Sequence, residues 1–331
     1  MLAAALGATL VLTACSTTKN GTPVAGSSGP GTGASSTSTG SASPTGTPST
    51  SAALKPVHVH VSLNLSDGSE VGVGMPIIAM FDKKITDGRA FEAATKVTVN
   101  GKAVDGAWYF EYSDPASGHV MEAHYRTKDY WPGHATIHLD LPVSGMSGGV
   151  VSMHHDEQYT FNDDLTLSFQ TGPANIITVD DQPNAQGQHT LTVVSDGKTW
   201  GTFPVSLGAN DTPTKRGIKV IMEKVPTVCM HDTNGTYYEC GIKEDQRLTY
   251  DGEYLHAAPW NIHNIESGVD SSNGCTNLRP DDAVTLYKFL NVGDVVTYLN
   301  AGGPKMQMGQ GYGDWNVSWP LWLTGGAIPT Q

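Results

Sequence analysis

The chain has 331 residues, a length that favours two domains, and 38% of them are hydrophobic while 15% are charged. Its 19 basic residues against 32 acidic ones give a formal net charge of −13, which argues against nucleic acid as a partner and against docking on anionic lipid through a basic patch. Four cysteines are too few for a disulfide-built scaffold, and no apolar run reaches the ~20 residues that span a bilayer.

The N-terminus resembles an export signal that ends in a lipid attachment site. Residues 1–14 are apolar and of signal-peptide length. The run Leu12-Thr13-Ala14-Cys15 resembles the bacterial lipobox, in which the cysteine sulfur carries a diacylglyceryl group. Acyl chains at ~0.8 kcal/mol per buried CH₂ would hold a protein on a membrane. We therefore expect residues 1–15 to act as a lipoprotein signal with lipidation at Cys15; the alternative is an uncleaved apolar N-terminus.

Residues 16–53 cannot bury a core, because they are small, polar and almost uncharged. Their Ser, Thr, Gly and Pro content predicts a flexible tether. Its root-mean-square reach of ~5–6 Å × √n amounts to a few tens of ångströms. A lipid anchor followed by a tether predicts an extracytoplasmic, membrane-anchored protein whose folded part acts in the cell envelope.

Residues 54–172 predict an all-β sandwich. Short alternating stretches are separated by turn dipeptides such as Asn100-Gly101. The predicted strands lie at 57–61, 96–99, 106–112, 121–125, 134–141 and 165–169. His58 and His60 share one strand face, but no further ligand joins them at metal spacing, so we expect packed or exposed histidines rather than a metal site.

Residues 173–301 predict a second β-rich domain with few helices. The one helix of useful length is expected at 280–290, because Pro280 suits a first turn while Asp281 and Asp282 suit the positive end of the helix dipole. The predicted strands lie at 176–179, 189–194, 199–205 and 218–223.

The strongest chemical signal is the segment Ser272-Asn273-Gly274-Cys275. A cysteine that follows glycine on a turn, with His256 elsewhere in the chain, suits nucleophilic catalysis. The thiolate is the reactive form, and a nearby imidazole would lower the pKa of the thiol and shuttle protons. Gly274 would let a carbonyl substrate approach the backbone amides that act as oxyanion donors. By these general rules alone, structural roles for both residues remain open.

The spacing of these residues resembles that of a known family. His256, followed after fifteen residues by Ser272-Asn273-Gly274-Cys275, is similar to the signature of the YkuD-type L,D-transpeptidases. Residues 70–77, 81–82, 85–87, 108–110 and 130–133 are similar to the bacterial immunoglobulin-like domain that precedes the catalytic domain in actinobacterial members. The resemblance implies an immunoglobulin-like β-sandwich that serves as a spacer, a β-rich catalytic domain, and a Trp-rich C-terminal tail, residues 302–331, that packs on the catalytic domain.

The same resemblance implies a reaction. In that family the cysteine attacks the amide after the third residue of a peptidoglycan tetrapeptide stem, D-alanine leaves, and an amine of a neighbouring stem opens the acyl-enzyme to give a 3→3 cross-link. Cys275 would be the nucleophile, His256 the base, and the Ala257 carbonyl the group that orients the imidazole. The amides of Asn273, Gly274 and Cys275 would form the oxyanion hole. The positions that match the family's donor pocket are Met230, Tyr238, Trp260, Ser272 and Asn277.

The expected partners follow from this reaction. They are donor and acceptor peptidoglycan stems, with carbapenems as covalent inhibitors and the membrane contacted only through the N-terminal lipid. We expect no nucleic acid, no cofactor and no metal ion, and a location at the membrane that faces the cell wall. Peptidases of the papain or NlpC type fit less well, because they place the cysteine before the histidine in the chain.

One position departs from the family pattern. A histidine usually stands between the Ser and the Gly of the motif, and here Asn273 takes its place. Asparagine donates and accepts hydrogen bonds but does not titrate near neutral pH. Because His256 is present, we expect activity with altered substrate positioning. An L,D-carboxypeptidase that uses water as the acceptor and a catalytically silent wall-binding lipoprotein remain alternatives.

Cys229 and Cys240 flank the segment where the family has a lid over the cleft. An oxidising compartment allows these two cysteines to pair, and closing so short a loop would contribute about 2–3 kcal/mol. A disulfide staple of the lid is our hypothesis. The alternative is a metal site made of Cys229, His231, Asp232 and Cys240, whose spacing is not that of a zinc knuckle.

Overall fold

The computed structural model describes residues 54–113, 119–151, 157–231 and 238–331, with residue 231 described through its backbone only. The predicted signal, the lipid attachment site at Cys15 and the tether lie outside these residues. Within them, every helix falls short of the length and apolar character that a membrane span requires. Strands dominate the described chain, which confirms the mainly β fold class.

Three sheets and one short helix make up the first domain. Its strands are β1 Lys55–Val59, β2 Val61–Leu63, β3 Glu70–Val71, β4 Ile77–Phe81, β5 Lys96–Val99, β6 Lys102–Ala103, β7 Gly106–Glu111, β8 Met121–Thr127, β9 Thr136–Leu141, β10 Ser147–Val151, β11 Glu157–Phe161 and β12 Leu165–Thr171, and helix α1 spans Arg89–Ala94. The sheet orders are β2-β4-β8-β7, β3-β12-β9-β5-β6 and β1-β11-β10. Strand β7 is therefore an edge strand.

Aromatic side chains fill the core of this domain, because alternate residues of its strands point to one face. Phe81, Phe91, Trp108, Phe110 and Phe161 are each at most 1% exposed. The centroids of contacting rings among them lie 5.1 to 6.3 Å apart in tilted and edge-on arrangements. These rings form the centre of the first domain's core, and Val295 of the second domain packs into the same cluster.

Two sheets and two helices make up the second domain. Its strands are β13 Asn175–Asp180, β14 His189–Ser195, β15 Lys198–Val205, β16 Gly217–Val220, β17 Glu223–His231, β18 Tyr238–Arg247, β19 Tyr254–Ala257, β20 Thr276–Leu278 and β21 Val295–Leu299; the helices are α2 Ile262–Ser267 and α3 Pro280–Phe289. The sheet orders are β15-β14-β13-β21-β16 and β17-β18-β19-β20. Parallel pairing of β19 with β20 sets His256 opposite Asn277, so Cys275 lies just before β20.

The predicted boundaries in this domain agree with the structure except at one strand. Helix α3 begins at Pro280, as predicted, and ends one residue before the predicted end. The strand predicted at 218–223 is wrong in its second half, because β16 ends at Val220 and β17 begins at Glu223. The chain crosses from one sheet to the other between these two residues.

The C-terminal end of the chain corrects another prediction, because residues 319–331 pack on the first domain rather than on the catalytic domain. Helix α4, Trp319–Trp322, brings the Trp322 ring onto Tyr109 with 5.0 Å between the centroids, and its Nε1 donates to the Ala107 carbonyl at 2.8 Å. The backbone of Phe110 donates to and accepts from the tail at 2.9 and 2.8 Å. The tail covers edge strand β7, whose polar backbone groups would otherwise lack partners.

The earlier part of the tail does contact the catalytic domain. The side chain of Asn316, in the short 3₁₀ helix Asp314–Asn316, accepts from the Ile218 amide at 2.9 Å and donates to the Ile218 carbonyl at 2.6 Å. The two domains also meet directly, because the Gly72 amide donates to the Val292 carbonyl at 2.8 Å. The tail therefore holds both domains together.

Candidate active site

Cys275 is the one free cysteine among the described residues, and it is 7% exposed. Gly274 before it has a φ of +101°, a conformation that side chains other than glycine's rarely tolerate. A Cβ atom at Gly274 would meet nothing nearer than 3.6 Å, so the backbone conformation, and not lack of space, requires glycine here. The turn presents the cysteine just ahead of strand β20.

Hydroxyl groups hold the carbonyls of this turn and leave its amides available. Thr212 Oγ1 donates to the Ser272 carbonyl at 2.9 Å, and Thr214 Oγ1 donates to the Gly274 carbonyl at 2.9 Å. Within the described chain, no acceptor takes a hydrogen bond from the backbone amides of residues 273–275. These are the amides that the sequence predicts as the oxyanion hole. Nothing in the sequence pattern distinguished these two threonines.

The His256 imidazole is buried and held from both ring nitrogens. Its Nδ1 donates to the Ala257 carbonyl at 2.9 Å, the contact that the family resemblance implied. Its Nε2 accepts from Asn277 Nδ2 at 3.0 Å. Burial lowers the pKa of His256, which outweighs the opposite effects of the Ala257 carbonyl and the Glu239 carboxylate. The resting imidazole is therefore neutral, with its proton on Nδ1.

Cys275 and His256 make no hydrogen bond in the described structure. The thiol instead donates to the Gly252 carbonyl at an Sγ···O distance of 3.5 Å. Burial raises the pKa of the Cys275 thiol to about 12. The expectation that the imidazole lowers this pKa is thus wrong for the resting state, because a desolvated sulfur without a hydrogen bond to the ring favours its neutral form.

Asn277 has a different place from the predicted one. Predicted to line the donor pocket, it is 3% exposed, because its side chain fills the space between His256 and a second asparagine. Its Oδ1 accepts from Asn261 Nδ2 at 2.8 Å, and Asn261 Oδ1 accepts from Ser271 Oγ at 3.0 Å. This chain of amides fixes the orientation of the imidazole. Nothing in the sequence pattern distinguished Asn261 or Ser271.

The other predicted pocket residues lie around this centre with different exposure. Trp260 is 56% exposed and stacks on the His256 ring with 6.1 Å between centroids, so it offers an open apolar face beside the base. Tyr238 is 71% exposed at the end of the β17–β18 hairpin, and Met230 is half-buried on the opposite strand. Ser272 donates from Oγ to the Cys275 carbonyl at 2.6 Å, so it supports the turn directly.

Cys229 and Cys240 form a disulfide directly across the hairpin, with 4.0 Å between their Cα atoms. A disulfide provides no thiolate, so the alternative metal site at these cysteines is excluded in this structure. Asp232 lies outside the described residues. The Glu239 carboxylate, next to Cys240, acts to raise the pKa of His256 against the larger effect of burial.

A buried ion pair beside the turn has no counterpart in the sequence predictions. Lys219, on β16, is 0% exposed, and its Nζ lies 2.5 Å from Glu253 Oε2. The same ammonium lies 3.8 Å from the centroid of the Tyr298 ring. Burial lowers the pKa of Lys219, while Glu253 raises it. The only sequence signal was a lysine between apolar residues on a predicted strand.

Two groups of side chains among the described residues have ligand atoms close enough for a metal ion, and neither includes Cys275. One is Glu111, Glu122 and His124, and the other is Asp181, His189 and Asp270. Ion pairs within each group already account for these distances, with carboxylates 3.4 and 3.5 Å from His124 Nε2 and 3.0 and 3.3 Å from His189 Nδ1. Both groups could bind a metal ion, but their ion pairs explain the short distances without one.

Comparison with known families identifies both domains. Residues 174–297 match the L,D-transpeptidase catalytic domain (YkuD), and residues 31–147 match the bacterial Ig domain. The chain thus contains a match to the YkuD L,D-transpeptidase catalytic domain, preceded by a match to a bacterial Ig domain, which confirms the resemblance predicted from the motif.

Individual relatives agree with this assignment. The chain is 28% identical over 270 residues to L,D-transpeptidase 2 and 30% identical over 271 residues to L,D-transpeptidase 5, both of Mycobacterium tuberculosis. These alignments cover 79% and 80% of this chain but only 60% and 56% of the relatives. The chain thus spans a little over half the length of these relatives.

Solved structures give the same result. An L,D-transpeptidase from Mycobacterium smegmatis superposes with a TM-score of 0.55 at 27% identity, covering 73% of this chain and 99% of that one. The LdtMt1 structure in complex with imipenem also has a TM-score of 0.55, at 26% identity, and the match covers 72% of this chain and 99% of that one.

Proposed function

We propose that the protein is a peptidoglycan L,D-transpeptidase that forms 3→3 cross-links through an acyl-enzyme on Cys275. The observation that carries the proposal is the turn at residues 273–275, where a cysteine lies beside three backbone amides without acceptors and one strand away from a buried, oriented histidine. Peptide carbonyl chemistry needs this combination, because the amides stabilise the negative charge that develops on the carbonyl oxygen.

The proposed acylation begins with a movement of the thiol. Cys275 Sγ leaves the Gly252 carbonyl, and the thiol proton passes to His256 Nε2 after that nitrogen exchanges its hydrogen bond with Asn277. The sulfur then bonds to the carbonyl carbon after the third stem residue, and the amides of residues 273–275 bind the oxyanion. The C–N bond breaks, His256 returns the proton to the nitrogen, and D-alanine departs.

The second half of the reaction reverses these steps with another nucleophile. The side-chain amine on a neighbouring stem attacks the thioester, and His256 transfers a proton from that amine to the sulfur as the C–S bond breaks. The products are a new amide and the regenerated thiol. Asn273, where the family usually has histidine, is exposed and does not titrate near neutral pH, so His256 carries the proton transfers in this proposal.

The neutral, buried thiol favours one rival function. A Cys275 that donates to Gly252 and makes no hydrogen bond with His256 would also fit a catalytically silent protein that holds stem peptides in its cleft. Intact mass spectrometry after incubation with a carbapenem separates the two. We expect an adduct on the native protein and none on the C275A variant. No adduct on the native protein, or one that persists in C275A, would refute the proposal.

Product analysis then separates transpeptidation from hydrolysis. Incubation with a tetrapeptide-stem donor and an amine acceptor should give a cross-linked dimer of the acyl donor and the acceptor. Release of the tripeptide stem alone, at every acceptor concentration, would instead identify an L,D-carboxypeptidase. Cys275→Ala should abolish whichever product forms.

We also propose that the protein is a lipoprotein anchored at Cys15 and facing the cell wall. The support is the sequence of residues 12–15 and the tether that follows. Fractionation of cells that express the native chain and the C15A variant tests it. Native protein should remain with the membranes, and C15A should be released from them by salt. Equal retention of both forms would contradict the lipid anchor.

A further inference from the structure

The charged side chains that affect the ionisation of Cys275 are Glu253, Asp245 and Lys219, and His256 is not among them. The thiol makes no hydrogen bond with His256 among the described residues, and the Lys219 ammonium lowers the pKa of the thiol against the opposing effect of burial. Lys219 is 0% exposed, so no bulk water screens its charge. A buried ammonium is strongly unfavourable unless it is paired, so the partners of Lys219 determine where its charge acts.

The two partners of this ammonium reach the residues on either side of Cys275. The Glu253 carboxylate, 2.5 Å from Lys219 Nζ, lies 3.6 Å from the position that a Cβ atom of Gly274 would occupy. The Tyr298 ring lies under the same ammonium, and its hydroxyl is 2.6 Å from Thr276 Oγ1. Lys219 thus contacts two groups that lie beside Gly274 and Thr276, the residues on either side of Cys275.

The remaining charges near the sulfur can be named. Glu253 and Asp245 oppose ionisation of the thiol, and Lys219 favours it. Lys215 binds the other side of the Glu253 carboxylate, with its backbone amide 2.8 Å and its Nζ 3.9 Å from Oε1, but its Nζ also pairs with Asp251 at 2.7 Å near the surface. Lys219 is therefore the buried cation of this group, and Lys215 is its more exposed neighbour.

We propose that Lys219 is a positioning residue for the reaction of Cys275, and that its ammonium, held by Glu253 and the Tyr298 ring, supports the negative charge that the sulfur acquires when it loses its proton. The inference rests on the proposed function in that Cys275 is the nucleophile. It adds that thiolate formation depends on a lysine–glutamate pair as well as on the imidazole. The ionisation of the thiol itself is measurable without any substrate.

The test compares variants that break the same ion pair but change the charge in opposite directions. Changes in the pKa of the thiol are obtained from the rate of its alkylation by iodoacetamide at about pH 8, which is proportional to the thiolate fraction when the pKa lies well above that pH; the matching C275A protein is the blank. We expect K219M to raise the pKa of the thiol by about one unit and E253Q to lower it, because the first removes a cation and the second an anion. K219R should stay close to the native value, because it retains the charge.

Lys215→Met provides the matched control. It removes a lysine that also contacts Glu253, but one whose charge is paired with Asp251 at the surface, so the pKa of the thiol should stay within a few tenths of a unit of the native value. Shifts of the same sign in K219M and E253Q would indicate a merely structural role and overturn the proposal. An effect of K215M as large as that of K219M would also overturn it. If K219M does not fold, Lys219→Gln takes its place, and the proposal requires the same rise in the pKa of the thiol in that variant.

The outcome is independent of the proposed function. Opposite shifts without a carbapenem adduct would reject the transpeptidase assignment and leave the role of Lys219 in thiol ionisation intact. An adduct on Cys275 with no shift in either variant would reject this inference alone. Where both hold, the rate of adduct formation at neutral pH should fall in K219M by about tenfold, the factor that corresponds to one pKa unit.

Discussion

His124 and Asp314 join strand β8 to the C-terminal tail across 190 residues of sequence, with 2.8 Å between His124 Nδ1 and Asp314 Oδ1. Their side chains are 1% and 0% exposed. Glu111 and Glu122 face the other ring nitrogen at 3.5 and 3.4 Å. One imidazole thus pairs with three carboxylates where the tail meets the first domain.

This cluster predicts a stability that falls as the pH rises. Burial lowers the pKa of His124, but Asp314 and both glutamates outweigh it and raise that pKa well above 6.5. The stabilisation is complete below the unfolded pKa of 6.5 and is lost as the pH rises through the higher folded value. Burial also raises the pKa of Glu111 to about 7 from 4.5, so its ionisation between these values reduces stability in the same direction.

Urea unfolding of native and H124Q protein checks this dependence. Between about pH 7 and about pH 9 the native free energy of unfolding should fall by about 1 kcal/mol or more, and that of H124Q by less, because the titrating group is gone. His138→Gln is the control, since His138 is exposed and its Nδ1 contacts only the uncharged Ser168 hydroxyl, at 2.8 Å. Equal slopes in native and H124Q protein would contradict the prediction.

Replacement of Gly274 by alanine should impair acylation more than folding. The φ of +101° is strained for alanine, so the turn would distort and displace the three amides. We expect a loss of about 1–2 kcal/mol in unfolding free energy and a much slower formation of the carbapenem adduct. Gly101→Ala is a matched control, because Gly101 has a φ of +77° with no atom within 4 Å of its Cβ position, far from Cys275. It should lose similar stability and acylate normally; equal acylation in both variants would count against the role of the turn.

The tail should contribute strongly to the stability of the first domain. Trp322 is 0% exposed and packs on Tyr109, so W322A should cost about 3–5 kcal/mol in a urea titration. The adjacent Leu321 is 52% exposed, and L321A should change the stability by about 0.5 kcal/mol or less. If the two variants lost the same stability, the packing of Trp322 would not be what stabilises the first domain.

The predictable parts of this molecule are those that local patterns encode. Helix α3 follows from Pro280 at its first turn with two aspartates behind it, and the alternating strands of both domains follow from their period of two. The spacing between His256 and Cys275 indicated the family, because the motif lies in adjacent elements. These features depend on residues close together in the sequence or on a motif with fixed spacing.

The parts that sequence reasoning missed depend on contacts between distant segments. Lys219 and Glu253 are 34 residues apart, and a lysine in a strand usually predicts an exposed position. The partner of Trp322 could not be inferred, because a tryptophan in the sequence indicates a buried side chain but not the surface on which it packs. No sequence pattern indicates that the thiol donates to the Gly252 carbonyl and makes no hydrogen bond with His256.

Because the outer neighbour of β7 comes from residues 325–327, which follow the whole catalytic domain in the chain, the first domain is complete only after that later segment has docked. In the interval before docking, one flank of the sandwich is able to recruit strands from other chains. A stop codon shortly before Trp319 would make the interval permanent and leave a protein prone to self-association.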